Sequence, residues 1–473
     1  MQWMPLRVRC SPALPPLRPP PANNGASDRL GRGVPPLHPG DPITMSITSW
    51  TKRDERVVWH GFTQMSCYDT STPVIVETGE GNYLIDVEGN RYLDAISSLW
   101  VMTIGHNDPD LNQAAVNQLQ KISHSTLLGN GNVAPIELAE ALAPQVPVPD
   151  PHFLFASDGA AAVEQAIKIA FQYWHNRGVT TRDMYLTLGE AYHGDTVGSL
   201  SVGAGGFGTS LFDPLRFPVV RTPGYNIDNW AELAIKAVEE NHSRLAAFVL
   251  EPVVQGAAGM FVCDPLDVSK VVAAAQELGI PVICDEVATG FGRTGTLFAS
   301  EQCGIAPDIM CLGKGITGGY APLSATAAAP HIYETFLGPD LGERTFYHGH
   351  SYSGNALACA IASRHLQILE ERDILANVQT AAAALGTALE PIEAHHGVKA
   401  VRRRGLMAGV ELDPPPGAER WGRMVCANAV ERGVLLRPIG DVVIIVAPLS
   451  VTANEVETIG LTLHSAIDAV ASQ

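Results

Sequence analysis

The sequence predicts an α/β fold, with a mostly parallel sheet covered by helices and a smaller α+β domain built from both chain ends. Three observations support this prediction. Short apolar runs alternate with helical patterns from Phe153 to Leu312, as in sheets whose parallel strands are joined by helices. Each run ends in polar residues, where ligands bind in such folds. A chain of 473 residues is also too long for one small core.

The individual elements follow in chain order. Val74–Asp94 reads as short strands with polar turns, and Phe153–Ala156 as a strand followed by a helix over Ala160–Tyr173. The remaining predicted elements are strands at Ala246–Leu250, Pro281–Cys284 and Ile309–Leu312, a helix at Asp267–Leu278, and C-terminal strands at Gly397–Ala400 and Val442–Val446.

The composition divides the chain into four parts. Residues 1–44 hold 11 of the 34 prolines and show no periodicity, so we expect a disordered tail. The tail could instead be a targeting signal or result from a misplaced start. We expect residues 45–105 and 375–473 to form the small domain and residues 106–374 the large one.

Charge and composition exclude several classes of function. The 31 basic and 49 acidic residues give 31 − 49 = −18, which disfavours a nucleic-acid binder. No apolar run reaches the length of a membrane span. The eight cysteines form no C-x-x-C pair, so we predict no metal site and a cytoplasmic, reduced protein.

Three strand ends carry residues suited to chemistry. Gly159 and Ala160 begin a helix, whose first N–H groups can bind an anion. Asp285 directly follows a buried strand, where a carboxylate needs a cationic partner. Lys314 stands between two glycines after another strand, and burial would make its amine nucleophilic. Each feature alone also suits an ordinary turn, cap or surface residue.

Taken together, the three strand ends predict a pyridoxal phosphate site. That cofactor needs an amine for covalent attachment, an acid at its pyridine nitrogen and a cradle for its phosphate. The spacing around Lys314 does not match a Walker A loop, which excludes the commonest alternative for a Gly-Lys pair.

The motifs that carry these residues resemble a known family. Asp285–Gly295, with Gly313-Lys314-Gly315, is similar to the class III aminotransferases, which are fold type I enzymes that use pyridoxal phosphate; the resemblance extends from Trp59 to Leu461. Four further motifs resemble the diaminopelargonate synthases of biotin biosynthesis, which transfer an amino group to 8-amino-7-oxononanoate. They are Ile122–Leu127, Tyr192–Gly198, Glu251–Gly256 and Phe346–Asn355.

The resemblance implies a role for each matching position. Lys314 would attach the cofactor and move a proton at the substrate carbon, and Asp285 would keep the pyridine nitrogen protonated. The other implied cofactor contacts are Gly159 and Ala160 at the phosphate, Tyr192 and Val287 at the two ring faces, and His350 and Ser351 at the phosphate of a partner subunit in a homodimer.

The substrate side of the site is implied in the same way. Arg437 would pair with the substrate carboxylate, Trp100 would flank the substrate tail, and Gly349 would line the pocket. Three further matching positions, Asp195, Glu251 and Arg293, suit a supporting structural role as well as substrate contact.

The chain departs from the pattern at three places. Phe62 stands where the enzymes that use adenosylmethionine carry Tyr, and Leu99-Trp100 stands where they carry paired Trp. Leu cannot make the cation–π contact that a sulfonium would favour, so the donor leans toward lysine. Ser157-Asp158 reverses the usual Asp-Ser order, a change that a cradle built from backbone should tolerate.

Two other functions remain open at this stage. Another class III transaminase, acting on ω-amines or 4-aminobutyrate, is the first alternative, and the Tyr192 and Arg437 motifs argue against it. A cofactor-binding regulator without turnover is the second, and the presence of Lys314 argues against that.

Overall fold

The computed structural model describes residues 47–68, 71, 73–204 and 209–472. The predicted disordered tail, residues 1–44, lies outside these described residues. The described residues belong to one compact unit. None of the described helices is both long and apolar enough to cross a membrane.

The strands are named in chain order. They are β1 (Val76–Glu80), β2 (Tyr83–Asp86), β3 (Arg91–Asp94), β4 (His152–Ala156), β5 (Met184–Leu188), β6 (Val220–Thr222), β7 (Leu245–Leu250), β8 (Val254–Gln255), β9 (Phe261–Val262), β10 (Val282–Asp285), β11 (Ile309–Leu312), β12 (Ser324–Ala328), β13 (Val398–Arg404), β14 (Met407–Leu412), β15 (Val434–Leu435), β16 (Arg437–Ile439) and β17 (Val442–Val446).

The α-helices are named in the same way. They are α1 (Ile47–Val57), α2 (Ser97–Trp100), α3 (Pro109–Leu119), α4 (Val133–Leu142), α5 (Gly159–Asn176), α6 (Val197–Val202), α7 (Trp230–Asn241), α8 (Pro265–Glu277), α9 (Ala299–Cys303), α10 (Pro330–Tyr333), α11 (Ala356–Glu371), α12 (Ile374–Glu393), α13 (Trp421–Glu431) and α14 (Ala453–Ala471).

A seven-stranded sheet with the order β4-β12-β11-β10-β7-β5-β6 forms the centre of the fold. The neighbours from β11 to β6 pair in parallel, and β12 runs antiparallel to both β11 and β4. The predicted mostly parallel α/β sheet is therefore confirmed. Because all of these parallel strands point the same way, their carboxyl ends meet at one edge.

Both faces of this sheet are covered. Val249 and Ile283 pack into the apolar cluster that includes helix α5, whereas Phe248 and Val282 pack into the cluster on the side of α7 and α8. All residues of β7 are buried, which explains why this strand reads as a continuous apolar run rather than an alternating one.

Two four-stranded sheets contain the remaining long strands. One has the order β13-β14-β17-β16, and the other joins β1, β2 and β3 to β15. Strand β15 pairs with β3 in parallel, so residues near the two ends of the described chain share a sheet. This pairing brings the segment after β3 next to the C-terminal strands, and the expected division into a large and a small domain stays a prediction.

Candidate active site

The carboxyl edge of the seven-stranded sheet gathers the three strand ends that the sequence singled out. Asp285 ends β10 and lies opposite Cys311 in the parallel register with β11. Lys314 follows two residues after β11 ends. A Cβ built on Gly313 would lie 3.4 Å from the Cα of Gly159, so the lysine turn touches the start of helix α5. Amine, acid and helix start are thus neighbours.

The Lys314 amine lies beside an aromatic ring. Its Nζ is 5.4 Å from the centroid of the Trp100 ring. Burial lowers the pKa of Lys314, and the charges of Asp285 and Glu251 oppose that shift only in part. An amine whose pKa is lowered is more often neutral, and a neutral amine is the nucleophile that the predicted role needs.

The Asp285 carboxylate is held at both oxygens. His193 Nδ1 is 2.7 Å from Oδ2, and the Val287 amide donates to Oδ1 at 3.0 Å. Burial by itself lowers the pKa of His193, but the hydrogen bond and charge of Asp285 outweigh that effect and raise it. A cationic or N–H-donating His193 stabilises the ionised acid, which is the form that would pair with a protonated pyridine.

Tyr192 and Glu251 form the next layer of the site. The Tyr192 amide donates to the Glu251 carboxylate at 3.1 Å, and the Tyr192 hydroxyl donates to Asp195 at 3.0 Å. Burial raises the pKa of Glu251 to about 7, although His193 opposes the shift. Glu251 and Asp195 therefore contact Tyr192 directly, which supports the structural reading of both.

The start of helix α5 is shaped for close approach. The Asp158 side chain accepts a hydrogen bond from the Ala161 amide at 2.9 Å and caps the helix. The amides of Gly159 and Ala160 come earlier, and the first amides of a helix have no acceptor within it. A Cβ on Gly159 would lie 2.5 Å from Val287 Cγ1, so only glycine fits there. The Ser157-Asp158 order thus supplies a working helix cap.

His350 and Ser351 lie in the irregular segment 346–353. His350 Nε2 is 3.0 Å from Ser157 Oγ of the same chain, and His124 Nε2 is 2.8 Å from the Ser351 carbonyl oxygen. Gly349 is exposed, next to the Leu128 side chain. His350 therefore lies beside the helix start of its own chain, and its predicted reach into a partner subunit stays a prediction.

Arg293 is one of the largest buried side chains of the protein. Its guanidinium donates to the backbone carbonyls of Met102 and Ala447, both at 2.7 Å, and to Ser97 Oγ at 3.3 Å. Burial lowers the pKa of Arg293 to about 9. These contacts place Arg293 between the Trp100 segment and the strand β17 end, where it has a structural role.

The predicted substrate residues are divided between buried and exposed positions. Trp100 is buried, whereas Leu99 and Phe62 are 47% and 56% exposed. Arg437 is exposed at the start of β16 and pairs with Ile444 in the sheet register. Trp100 lies beside Lys314, whereas the contacts among the described residues do not bring Arg437 or Gly349 to the amine.

This set of groups fits pyridoxal phosphate. An amine of lowered pKa, an acid with a fixed orientation and a helix start converge on one edge, and His193 Nε2 is buried without a hydrogen-bond partner among the described residues. The His193–Asp285 contact was not predicted, although His193 follows Tyr192 directly in a recognised motif. Glu286 was also missed; its buried carboxylate accepts the Ser300 amide at 2.7 Å and anchors the turn after Asp285.

Comparison with known proteins agrees with this geometry. Residues 65–467 match the family described as Aminotransferase class-III. A protein of Nitratidesulfovibrio vulgaris named adenosylmethionine-8-amino-7-oxononanoate aminotransferase is 42% identical over 439 residues, covering 88% of this chain and 81% of that protein. The Aquifex aeolicus protein of the same name is 41% identical over 448 residues, covering 90% and 98%.

Solved structures show the same similarity. The structure of adenosylmethionine-8-amino-7-oxononanoate aminotransferase from Methanocaldococcus jannaschii superposes with a TM-score of 0.85 at 39% identity, covering 89% of this chain and 98% of that one. An (S)-enantioselective omega-transaminase from Thermomicrobium roseum gives 0.83 at 32% identity, with coverage of 89% and 98%.

Proposed function

Because the chain belongs to the class III aminotransferases, we propose that it transfers an amino group to the ketone of 8-amino-7-oxononanoate, giving 7,8-diaminononanoate for biotin biosynthesis. It is an aminotransferase that uses pyridoxal 5′-phosphate, as the family does. The observation that carries the proposal is the convergence of Lys314, Asp285 and the start of α5, in a chain whose relatives bear that name at about 40% identity.

The bound cofactor supplies an electron sink for negative charge that develops on the substrate carbon. Lys314 holds the cofactor and moves the proton at that carbon, a task for which its lowered pKa prepares it. Asp285, fixed by His193 and the Val287 amide, stabilises a protonated ring nitrogen. The amides of Gly159 and Ala160 would bind the phosphate, and Tyr192 and Val287 would contact the cofactor ring.

Arg437 is the proposed partner of the substrate carboxylate. Its guanidinium offers two parallel N–H donors, which suit a carboxylate better than a lysine would. The net charge of −18 makes such a local cation necessary, because an acidic protein repels an anionic substrate. Trp100 and Gly349 would flank the rest of the chain of the substrate.

We infer lysine, rather than adenosylmethionine, as the donor. Phe62 lacks the hydroxyl and Leu99 lacks the aromatic ring that the resemblance associates with the sulfonium donor, and both are exposed at the protein surface. A leucine cannot stabilise a sulfonium through a cation–π contact. The relatives carry names with adenosylmethionine, so the donor is the first property to test.

We propose a homodimer in the cytoplasm, with His350 and Ser351 contributed to a partner's site. The supporting observation is a set of large apolar or aromatic side chains that one chain leaves exposed beside these residues: Tyr347 and Tyr352 in the same segment, and Leu128 next to Gly349. A second copy would bury them, since exposed apolar patches of this kind mark interfaces. Sedimentation should show a dimer, and Tyr352→Asp should shift it toward monomer.

The test of function is a product assay with each donor. Purified protein with pyridoxal phosphate and 8-amino-7-oxononanoate is supplied with lysine or adenosylmethionine, and 7,8-diaminononanoate is measured by mass spectrometry. We expect product with lysine and little with adenosylmethionine. Product with adenosylmethionine alone would overturn the donor assignment, and no product with either donor would overturn the substrate.

The competing function is transamination of ω-amines, which the similarity to omega-transaminases favours. The same assay with 4-aminobutyrate and pyruvate distinguishes the two. Turnover of that pair, without conversion of the oxononanoate, would support the competing function.

A further inference from the structure

The segment that carries Trp100 has an unusual backbone. Ser97, Ser98 and Trp100 have φ angles of 52°, 60° and 64°, in the left-handed region. Residues other than glycine rarely adopt this region, and several together are costly unless the surroundings enforce them. The segment Ser97–Trp100, which α2 spans, is therefore not a regular helix and needs contacts from outside to keep its conformation.

Asp94 provides the densest set of such contacts. It ends strand β3 and is fully buried. Its two carboxylate oxygens accept from the Ser98 amide at 2.8 Å and 3.0 Å, and one also lies 2.9 Å from His106 Nε2. Ser98 has a φ of 60° and a ψ of −67°. Hydrogen bonds to Asp94, a buried acid four residues earlier, hold it in this conformation.

The strained segment determines the position of the Trp100 ring. The ring lies with its centroid 5.4 Å from Lys314 Nζ, and a Cβ on Gly256 would approach it to 3.0 Å on another side. The Trp100 indole N–H is buried without a hydrogen-bond partner among the described residues. A buried donor without a partner costs stability rather than adding to it, so the position of the ring beside Lys314 calls for another explanation, such as contact with a ligand.

We propose that Asp94 is a positioning residue that holds the segment Ser97–Trp100 in its strained conformation and acts on the reaction through Trp100. Asp94 does not contact Lys314, so its effect on substrate must pass through the segment it holds. The inference rests on the proposed transamination for its kinetic measurement, and a second measurement on the cofactor-free protein does not depend on that function.

The kinetic test compares Asp94→Ala with Asp94→Asn, and uses Asp86→Ala as a matched control. Asp86 is a buried acid that ends the neighbouring strand β2 and accepts from the amides of Glu88 and Asn90, both at 2.9 Å. The measured quantity is the rate at which lysine, or 4-aminobutyrate, removes the visible absorbance of the bound cofactor.

We expect Asp94→Ala to slow this rate by about tenfold to 100-fold, as small displacements of positioning groups do. Asp94→Asn keeps only one of the two oxygens that accept from the Ser98 amide, so it should slow the rate less, by about threefold to fivefold. Asp86→Ala should leave the rate unchanged. An equal loss in Asp86→Ala, or no loss in Asp94→Ala, would overturn the proposal.

A double-mutant cycle tests whether Asp94 acts through Trp100. In a Trp100→Phe background, Asp94→Ala should cost less than about threefold, because the group it positions is already gone. Full additivity of the two losses would overturn the proposal. If Asp94→Ala fails to fold, Asp94→Asn replaces it. Asn keeps one of the two acceptor oxygens for the Ser98 amide, so the non-additivity with Trp100→Phe should have the same sign and a smaller size.

Hydrogen exchange of the cofactor-free protein gives the independent measurement. Amides of residues 96–102 should exchange at least about tenfold faster in Asp94→Ala, while those of β10 keep their rates. In Asp86→Ala the faster exchange should be confined to residues 86–91. Unchanged exchange at 96–102 would overturn the proposal even if no substrate is found, and a lack of turnover in the wild type would count only against the proposed function.

Discussion

The carboxyl edge of the large sheet differs in burial from the exposed positions proposed for substrate and donor choice, Phe62, Leu99 and Arg437, which we call the rim. At the sheet edge, Asp285, His193 and Glu251 are all buried, and each has a fixed partner. Among the positions proposed for substrate and donor choice, Phe62, Leu99 and Arg437 are exposed. The groups proposed for bond making are therefore buried and held by fixed partners, whereas the residues proposed for substrate and donor choice, apart from the buried Trp100, are exposed.

The difference indicates that the residues proposed for catalysis and most of those proposed for substrate choice lie in different environments, buried and exposed. Buried groups with short hydrogen bonds have their charge and orientation fixed before any ligand arrives, which is the arrangement that lowers a reaction barrier. Exposed side chains can be exchanged with little effect on folding, so the donor and substrate can vary among relatives that share one sheet. The following predictions test that separation, beginning with the largest expected effect.

The strongest test lies at the buried edge. Lys314→Ala should lower transamination by about 10⁴-fold or more and remove the visible absorbance of the bound cofactor, because both the attachment point and the proton carrier are lost. Spectra and turnover are compared with Lys270→Ala, an exposed lysine paired with Asp267. Turnover that survives in Lys314→Ala would refute its role.

Arg437→Leu tests the rim. Loss of a charge-assisted pair should raise the KM for the oxononanoate by about tenfold to 100-fold, with a small change in kcat. The KM of Arg437→Lys should lie between those of wild type and Arg437→Leu, because a lysine keeps the positive charge but lacks the two parallel N–H donors of the guanidinium. The methyl ester of the substrate serves as control, and its KM should be the same for wild type and Arg437→Leu; an equal rise with the ester would contradict the carboxylate pairing.

Glu251 tests the cost of burying acids at the sheet edge. Burial raises its pKa in the folded protein to about 7. Its folded pKa is above the unfolded value of about 4.5, so its contribution to stability is present at low pH and is lost as pH rises to 7. In the cofactor-free protein this loss should reach up to about 3 kcal/mol.

The measurement is urea unfolding between pH 5 and pH 8. Glu251→Gln should gain in free energy of unfolding relative to wild type as pH rises, because the amide cannot ionise. Asp86→Asn is the control. Burial alone would raise the pKa of Asp86, but its hydrogen bonds, those from Asn90 first among them, outweigh burial and lower the pKa. The difference between Asp86→Asn and wild type should therefore stay constant over this range. Parallel curves for Glu251→Gln and wild type would show that Glu251 does not titrate there.

The smallest expected effect concerns donor choice. Leu99→Trp restores an aromatic ring at the exposed rim and should improve use of adenosylmethionine by about twofold to fivefold, the size of an exposed cation–π contact. Use of lysine should change little. The donor preference is measured as the ratio of kcat/KM for adenosylmethionine to that for lysine. An unchanged ratio in Leu99→Trp would show that Leu99 does not determine donor choice.

The parallel core of the fold could be predicted from sequence, and its antiparallel strand could not. Ile309–Leu312 has the predicted bounds because a strand buried on both faces is a plain apolar run. Strand β12 (Ser324–Ala328) was missed, because three of its five residues are alanines, which have weak β-propensity, and the segment becomes a strand through its pairing with β4 and β11.

The same limit applies to the site. Lys314 and Asp285 could be found because each follows an apolar run with a recognisable turn. The contact between His193 and Asp285 joins residues 92 positions apart, and no local pattern announces it. The left-handed backbone at Ser97 and Ser98 is equally hidden, because serine does not signal a conformation that glycine normally adopts.

The most direct test of the central claim uses the absorbance of the loaded protein in two steps. Lysine is added first and should remove the visible band of the cofactor; 8-amino-7-oxononanoate is then added to the protein freed of donor. We predict that the oxononanoate restores the band and that pyruvate does not. Restoration by pyruvate, with no response to the oxononanoate, would contradict the account.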